Sequence, residues 1–238
     1  MTDPELRLVT AIRTGLAAAA DPAKAPAMRA YMKSDLPFYG VQAPGQRELF
    51  RAVFAEHPLP DRHRWLATIR VLWEDATHRE ERYAAIALTG VRAYADWQTP
   101  DLVPGLYHDM IVTGAWWDYV DDLAIRRVGP ILRADPEQVT PVLAEWIAGA
   151  DLWLRRSAII CQIGSTAATD TELLTLAIDR AAADREFFLR KGIGWALREH
   201  AKTDPDWGQA FVAARPGRLS GLSVREALKH IGPATGSG

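Results

Sequence analysis

A helical hydrophobic period runs through almost the whole sequence, and this feature most restricts the folds open to the chain. In segment 43–57, for example, Leu49, Phe50, Val53 and Phe54 recur at i, i+1, i+4 and i+5, which is one face of a helix. No segment alternates apolar and polar residues as a strand does. The sequence therefore predicts an all-α protein of roughly a dozen helices. The predicted helices cover 5–20, 24–34, 43–57, 64–74, 80–94, 101–113, 117–133, 137–149, 152–163, 171–183, 187–202, 206–214 and 223–231.

A weak internal repeat of about 35 residues accompanies this period. Leu154-Arg155-Arg156 stands one such step before Leu189-Arg190-Lys191. Two helices in a unit of this length are typical of an α-solenoid, in which stacked pairs bury one another's apolar faces and curve around a concave surface. We therefore expect one domain of HEAT-like helix pairs over residues 1–231, with a concave groove, followed by a flexible tail over 232–238.

Composition excludes several classes of protein. The 238 residues are 48% hydrophobic, which is ample for a core, and a single cysteine rules out an internal disulfide. The net charge of −2 excludes a strongly basic nucleic-acid coat, but residues 185–229 carry nine Lys and Arg against five Asp and Glu. Because no apolar run approaches the roughly 20 residues of a membrane span, and the N-terminus carries acids, we expect a cytoplasmic protein without a membrane partner.

Common catalytic motifs are absent from the sequence. It has no phosphate-binding glycine loop, no CxxC, no HxxxH and no GxSxG, and its six histidines are scattered singly. We therefore predict no metal site. Cys161 lies in an apolar helical run, which favours a small core residue over a nucleophile.

Two aromatic and charged clusters have both a structural and a functional interpretation. Trp117 and Asp121 lie at i, i+4 on one helix face, but core tryptophans with acids near a helix N-terminus would give the same pattern. Arg155 and Arg156 follow Trp153, and a solvated face or a structural ion pair explains them equally well.

A third cluster favours a binding surface. Spacings of i, i+4, i+7 and i+11 place one aromatic and three basic residues on a single helix face: Lys191, Trp195, Arg198 and Lys202. A core face would not carry three cations, and such a stripe suits a groove that neutralises phosphates and presents a ring. Gly192 and Gly194 are costly inside a helix, which indicates close packing or the close approach of a ligand.

Together these segments resemble the DNA alkylation repair family of HEAT-like-repeat DNA glycosylases, which excise alkylated purines. The resemblance covers nearly the whole chain, and the ordered set of motifs is more specific than any one of them. The segments are RAYMKSDLPFYGVQAPGQRELF, LWEDATHREERYAAIAL, TGAWWDYVDDLA, DLWLRRSAIICQ, EFFLRKGIGWALREHAKTDP and LSVREALKHI.

The resemblance implies roles for individual residues. By motif position it assigns a catalytic carboxylate to Asp121 and two groove tryptophans to Trp117 and Trp195. The implied DNA-binding residues are Arg156, Tyr31, Gln42, Lys191, Arg198 and Lys202. The sequence departs from many relatives where it has Gly164 and the two residues after it in place of lysines, and where Val224 replaces a basic residue. Both departures remove cations and indicate weaker binding of DNA.

The resemblance also implies the reaction. A cationic purine, of the 7-methylguanine or 3-methyladenine type or a bulkier adduct, would leave by hydrolysis of its N-glycosidic bond, without base flipping, strand cleavage, metal or organic cofactor. The expected partner is double-stranded DNA, bound by a monomer at the nucleoid. Two alternatives stay open: a non-catalytic helical-repeat module that binds nucleic acid, and a protein–protein scaffold, against which the basic stripe argues.

Overall fold

The computed structural model describes residues 3–230, and within that range it contains helices and no strands. The predicted all-α class is therefore confirmed, whereas the tail predicted at 232–238 lies outside the described residues. The α-helices are α1 (Leu6–Ala18), α2 (Ala25–Met32), α3 (Ala43–Glu56), α4 (Arg62–Glu74), α5 (Arg79–Thr89), α6 (His108–Gly114), α7 (Trp117–Leu123), α8 (Gly129–Ala134), α9 (Pro136–Ala148), α10 (Leu152–Ile160), α11 (Thr171–Ala181), α12 (Phe187–Ala201), α13 (Pro205–Ala213) and α14 (Gly221–Ala227).

Contacts divide the chain into two compact units, Met1–Trp97 and Gln98–Gly238. The single domain predicted over 1–231 stays a prediction. None of the helices described over residues 3–230 has both the length and the hydropathy needed to cross a bilayer.

The first unit packs α1, α3, α4 and α5 around an apolar core. Leu8, Ile12 and Leu16 recur at i, i+4 and i+8 on α1 and are fully buried, as the helical period requires. A buried carboxylate, Glu80, accepts hydrogen bonds from the backbone N–H groups of residues 39–41. It thereby fixes the loop that leads into α3.

The second unit contains a row of helices in which α7, α10, α12 and α14 each pack against the next. Helices α9, α11 and α13 pack behind this row. Leu154 and Leu189 are each the third residue of their helix, so the repeat read from the sequence matches equivalent positions in α10 and α12. This packing of successive helix pairs is compatible with a helical-repeat solenoid.

The predicted helix 117–133 is present as a continuous helical stretch that contains one π-helical turn. Helix α7 ends at Leu123, a π-helical segment covers Ala124–Val128, and α8 begins at Gly129. A Cβ on Gly129 would lie 2.0 Å from the carbonyl oxygen of Cys161, so the end of α10 approaches this backbone very closely. The wider π turn accompanies this close approach.

One further predicted helix differs in length from the observed one, and the predicted core position of Cys161 agrees with the structure. The helix predicted over 80–94 ends at Thr89, and a 3-10 segment covers Arg92–Trp97. Cys161 is fully buried, and burial raises its pKa to about 12, in agreement with a core role instead of a nucleophilic one.

His200 of α12 gives the fold a pH dependence. Neither of its ring nitrogens has a hydrogen-bond partner among the described residues, and the ring packs edge-on against Trp207 with centroids 4.8 Å apart. Burial lowers the pKa of His200, opposed by the charge of Asp204. Since the unfolded chain binds this proton near pH 6.5, protonation favours unfolding as the pH falls through that value, until the lower folded pKa is passed.

We therefore expect the free energy of unfolding to decline between pH 7.5 and pH 5.5 more steeply in the native protein than in His200→Leu. Urea unfolding followed by circular dichroism at both pH values measures the difference. His63→Leu, at an exposed position, is the matched control and should keep the native pH dependence. Identical slopes for native and His200→Leu would contradict the assignment.

Candidate functional site

An acid and a base from neighbouring helices form the centre of the candidate site. Asp121 of α7 accepts two hydrogen bonds from Arg156 of α10, with Nε to Oδ1 at 2.7 Å and Nη2 to Oδ2 at 2.8 Å. This bidentate geometry matches the planar guanidinium to both carboxylate oxygens and restricts their orientation. The carboxylate is therefore held in one position before any ligand binds.

The two partners differ in their access to solvent. The Arg156 side chain is 5% exposed, whereas that of Asp121 is 16% exposed. Burial raises the pKa of Asp121, the hydrogen bonds and charge of Arg156 oppose the rise, and nearby Asp118 adds to it. The bidentate pair is the geometry of an ionised carboxylate, so the site presents a fixed, partly accessible carboxylate whose counter-ion is Arg156.

Helix α12 supports Arg156 from the other side. The remaining terminal nitrogen of Arg156, Nη1, donates to the backbone oxygen of Phe188, and the guanidinium lies over the Phe188 ring at 6.0 Å. A Cβ on Gly192 would lie 3.2 Å from Nη1, so this glycine makes room for the arginine. The close packing predicted from Gly192 is confirmed, and α7, α10 and α12 are joined through one guanidinium.

The tryptophans fall into two groups. Trp116 packs on Trp153 and Phe188, with centroids 6.1 and 5.5 Å apart, and so belongs to an aromatic cluster at the start of α7, α10 and α12. Trp117 and Trp195 are half-buried, and no contact with another ring is found for either among residues 3–230. Trp117 lies one turn before Asp121, and Trp195 lies one turn after Gly192 on the same side of α12.

The predicted basic stripe is already engaged in ion pairs. Lys191 Nζ lies 3.1 Å from one carboxylate oxygen of Glu226, and Arg198 Nη1 lies 2.6 Å from the other. Lys202 Nζ lies 2.7 Å from Glu199. Glu226 is absent from the residues predicted for the site, because the pattern along α12 contains no information about the helix that faces it.

The two central ion pairs share a spacing. Asp121 and Arg156 are 35 residues apart, and so are Lys191 and Glu226. Asp121, Arg156 and Lys191 are each the fifth residue of their helix, and Glu226 is the sixth residue of α14. We call these four residues the charge ladder. The sequence repeat of about 35 residues could therefore have predicted the pairing of Lys191 with Glu226.

The neighbouring arginine has a different partner. Arg155 donates to Asp184 at 2.7 Å and to the backbone oxygen of Arg180, which is the structural ion pair considered as one explanation of the cluster. Only Arg156 turns towards Asp121, and it does so as an ion-pair partner. Its predicted contact with DNA stays a prediction.

The two N-terminal candidates belong to the first unit. Tyr31 of α2 is 72% exposed, and Gln42 is exposed at the N-terminal cap of α3. Their predicted roles beside the groove stay predictions.

Gly164 has a φ of +87°, a conformation that disfavours a side chain, so a lysine at that position would strain the turn. This accounts for the absence of a lysine at Gly164 itself.

The described residues offer no grouping of three or more His, Cys, Asp or Glu side chains that could hold a metal ion. A cavity of about 1240 Å³ lies within the first unit between α3 and the 3-10 segment, and none of the predicted site residues lines it.

The arrangement around Asp121 has the features of a charged binding site. It offers a fixed carboxylate oxygen one helical turn from the partly exposed indole of Trp117, which suits stabilisation of a positive charge.

Comparisons with known proteins identify the family of the chain. The chain is similar in structure to a predicted DNA alkylation repair enzyme from Enterococcus faecalis, with a TM-score of 0.72 and 28% identity over 91% of this chain and 98% of that one. A comparison with curated proteins gives no significant match. The model of the family described as "DNA alkylation repair enzyme" matches residues 12–231. The chain therefore belongs to the DNA alkylation repair enzyme family.

Proposed function

We propose that the protein is a DNA glycosylase that removes cationic alkylated purines, of the 7-methylguanine and 3-methyladenine type, from double-stranded DNA. The observation that carries the proposal is the fixed carboxylate of Asp121, held by two of the three guanidinium nitrogens of a buried arginine and still partly open to solvent. A preorganised charge of this kind stabilises a transition state without reorganising during the reaction. The family membership supports a DNA substrate with alkylation damage.

The proposed reaction is hydrolysis of the N-glycosidic bond. The electron pair of that bond moves to the purine and neutralises its positive charge, so the base departs without an acid catalyst. Positive charge develops on the deoxyribose, as in glycoside hydrolysis, and water adds to the same carbon as its proton passes to solvent. Asp121 stabilises the sugar cation electrostatically.

The two half-buried indoles take part through their ring faces. Trp117 and Trp195 would contact the cationic nucleotide, and each such contact contributes about 1–2 kcal/mol when desolvated. Their partial exposure supports this role, because a core tryptophan would have no free face. The base stays stacked in the duplex in this mechanism, which leaves room for bulky adducts.

The proposed enzyme forms an abasic site and does not cut the strand. Helix α7 carries no lysine that could form a Schiff base with the sugar. The reaction requires no metal or organic cofactor. We further propose that a monomer acts on one duplex, on chromosomal DNA in the cytoplasm, with the phosphates contacted by residues of the stripe and by Arg156, Tyr31 and Gln42.

Single-turnover release of 7-methylguanine tests the proposal. Excess protein is mixed with a duplex that contains one lesion, in buffer with a chelator, and the free base and the strand breaks are quantified separately. We expect release of the base, and strand breaks only after alkali. If 7-methylguanine, 3-methyladenine and a bulky cationic adduct all stay attached while the duplex is bound, the protein is a non-catalytic binding module instead.

A further inference from the structure

Glu226 is held against the basic stripe by close packing between α12 and α14. A Cβ on Gly194 would lie 2.5 Å from the Cβ of Glu226 and 3.0 Å from the backbone oxygen of Ser223, so the glycine allows the two helices to approach. The Ser223 hydroxyl donates to the backbone oxygen of Arg190 at 2.9 Å and fixes their register. The carboxylate of Glu226 is therefore held at a defined position beside Lys191 and Arg198 of α12.

Both carboxylate oxygens of Glu226 are used by cations of α12. One oxygen accepts from Lys191 and the other from Arg198, at 3.1 and 2.6 Å. The pKa of Glu226 is lowered, first by its hydrogen bond with Lys191, so the group is ionised at neutral pH. Arg198 Nε also lies 3.6 Å from Glu199, which holds Lys202. Three cations thus face two carboxylates, and the stripe retains little net charge.

We propose that Glu226 competes with DNA phosphates for Lys191 and Arg198 and thereby weakens binding to the DNA backbone. The inference rests on one part of the proposed function, namely that the stripe binds DNA, and does not require the glycosylase reaction. Binding of a phosphate then requires the two cations to exchange a fixed carboxylate for the phosphate, which reduces the gain from contacts with undamaged backbone. The Glu226 side chain is 22% exposed and that of Lys191 is 39% exposed, so this exchange takes place at the surface.

The substitution Glu226→Gln tests this competition. The amide keeps the size of the side chain and removes its charge, so both cations become available to phosphates. We expect the dissociation constant for undamaged duplex to fall about tenfold at low salt, and the slope of log K against log [salt] to steepen by about one. Fluorescence anisotropy with a labelled undamaged duplex at several salt concentrations measures both quantities.

The matched control is Glu145→Gln, an exposed acid on α9 with no ion-pair partner among the described residues. It makes the same change in net charge but releases no cation. The affinity for DNA and the salt slope should therefore stay near the native values. Glu226→Ala, checked for folding by thermal denaturation, should shift binding in the same direction as Glu226→Gln.

Two results would overturn the proposal. Weaker binding by Glu226→Gln would mean that the carboxylate orients the cations towards phosphate, and a change no larger than that of Glu145→Gln would mean that it has no part in binding. Release of 7-methylguanine by the native protein is scored separately. If excision proceeds but Glu226→Gln leaves binding unchanged, the competition is wrong and the glycosylase stands. Tighter binding by Glu226→Gln without excision by the native protein would instead support the competition and contradict the glycosylase.

Discussion

Release of 7-methylguanine should slow by about 100-fold or more when Asp121 is replaced by asparagine, because the fixed charge that opposes the sugar cation is lost. Asparagine keeps the shape of the side chain and one acceptor for Arg156. The measurement is the single-turnover rate with saturating protein, so that a change in affinity does not enter. Binding of the lesion-containing duplex should be retained.

The same substitution is expected to reduce stability by about 3 kcal/mol, since it leaves the buried guanidinium of Arg156 without its counter-charge. Rates are therefore compared at a temperature where circular dichroism shows the variant folded. Asp184→Asn is the matched control. Asp184 is the ion-pair partner of Arg155, which neighbours Arg156 on α10, so this substitution should leave excision near the native rate. Equal rates for native protein and Asp121→Asn would remove this carboxylate from the chemistry.

Gly129→Ala is expected to lower the free energy of unfolding by about 3 kcal/mol. The added methyl group would stand 2.0 Å from the carbonyl oxygen of Cys161, and backbone on both sides leaves no flexible side chain to move aside. Relief requires α8 to separate from the end of α10. Urea denaturation of native and variant proteins measures the loss.

Gly105→Ala provides the control for this substitution. Gly105 lies in the π-helical segment Val103–Tyr107, and an added Cβ there meets no atom within 4 Å. Alanine also restricts the unfolded chain, so the variant should be unchanged or stabilised by up to about 1 kcal/mol. If both alanine variants are equally stable, the close contact at Gly129 does not constrain the fold.

The helices were predictable where the hydrophobic period alone determines them. Helices α3, α10 and α12 begin within a residue of their predicted starts, because each has a polar or proline signal followed by a periodic apolar face. The π-helical turn after Leu123 was not predicted from the period. Pro130 lacks an N–H group and is a local signal for a departure from α-helical geometry. The close approach of the Cys161 carbonyl to Gly129, 32 residues earlier, has no such local signature.

The sequence selects residues for the candidate site one at a time and does not predict how they are arranged. Motif resemblance selected Asp121 and Arg156 separately, while their bidentate pairing came from the structure. Lys191 and Arg198 of the stripe share a face of α12, as their spacing predicts, and Glu226 of α14 binds both of them. A pattern along one helix identifies the side chains that share a face and gives no information about the charge that will stand opposite them.

The order of signs along the charge ladder has a consequence for how DNA is approached. From α7 to α14 the signs are negative, positive, positive and negative, so the four side chains carry no net charge and form two ion pairs of opposite order. The field of paired opposite charges decays with distance faster than that of a single charge. A distant duplex is therefore hardly steered by these residues, and their attraction for phosphate begins only at contact.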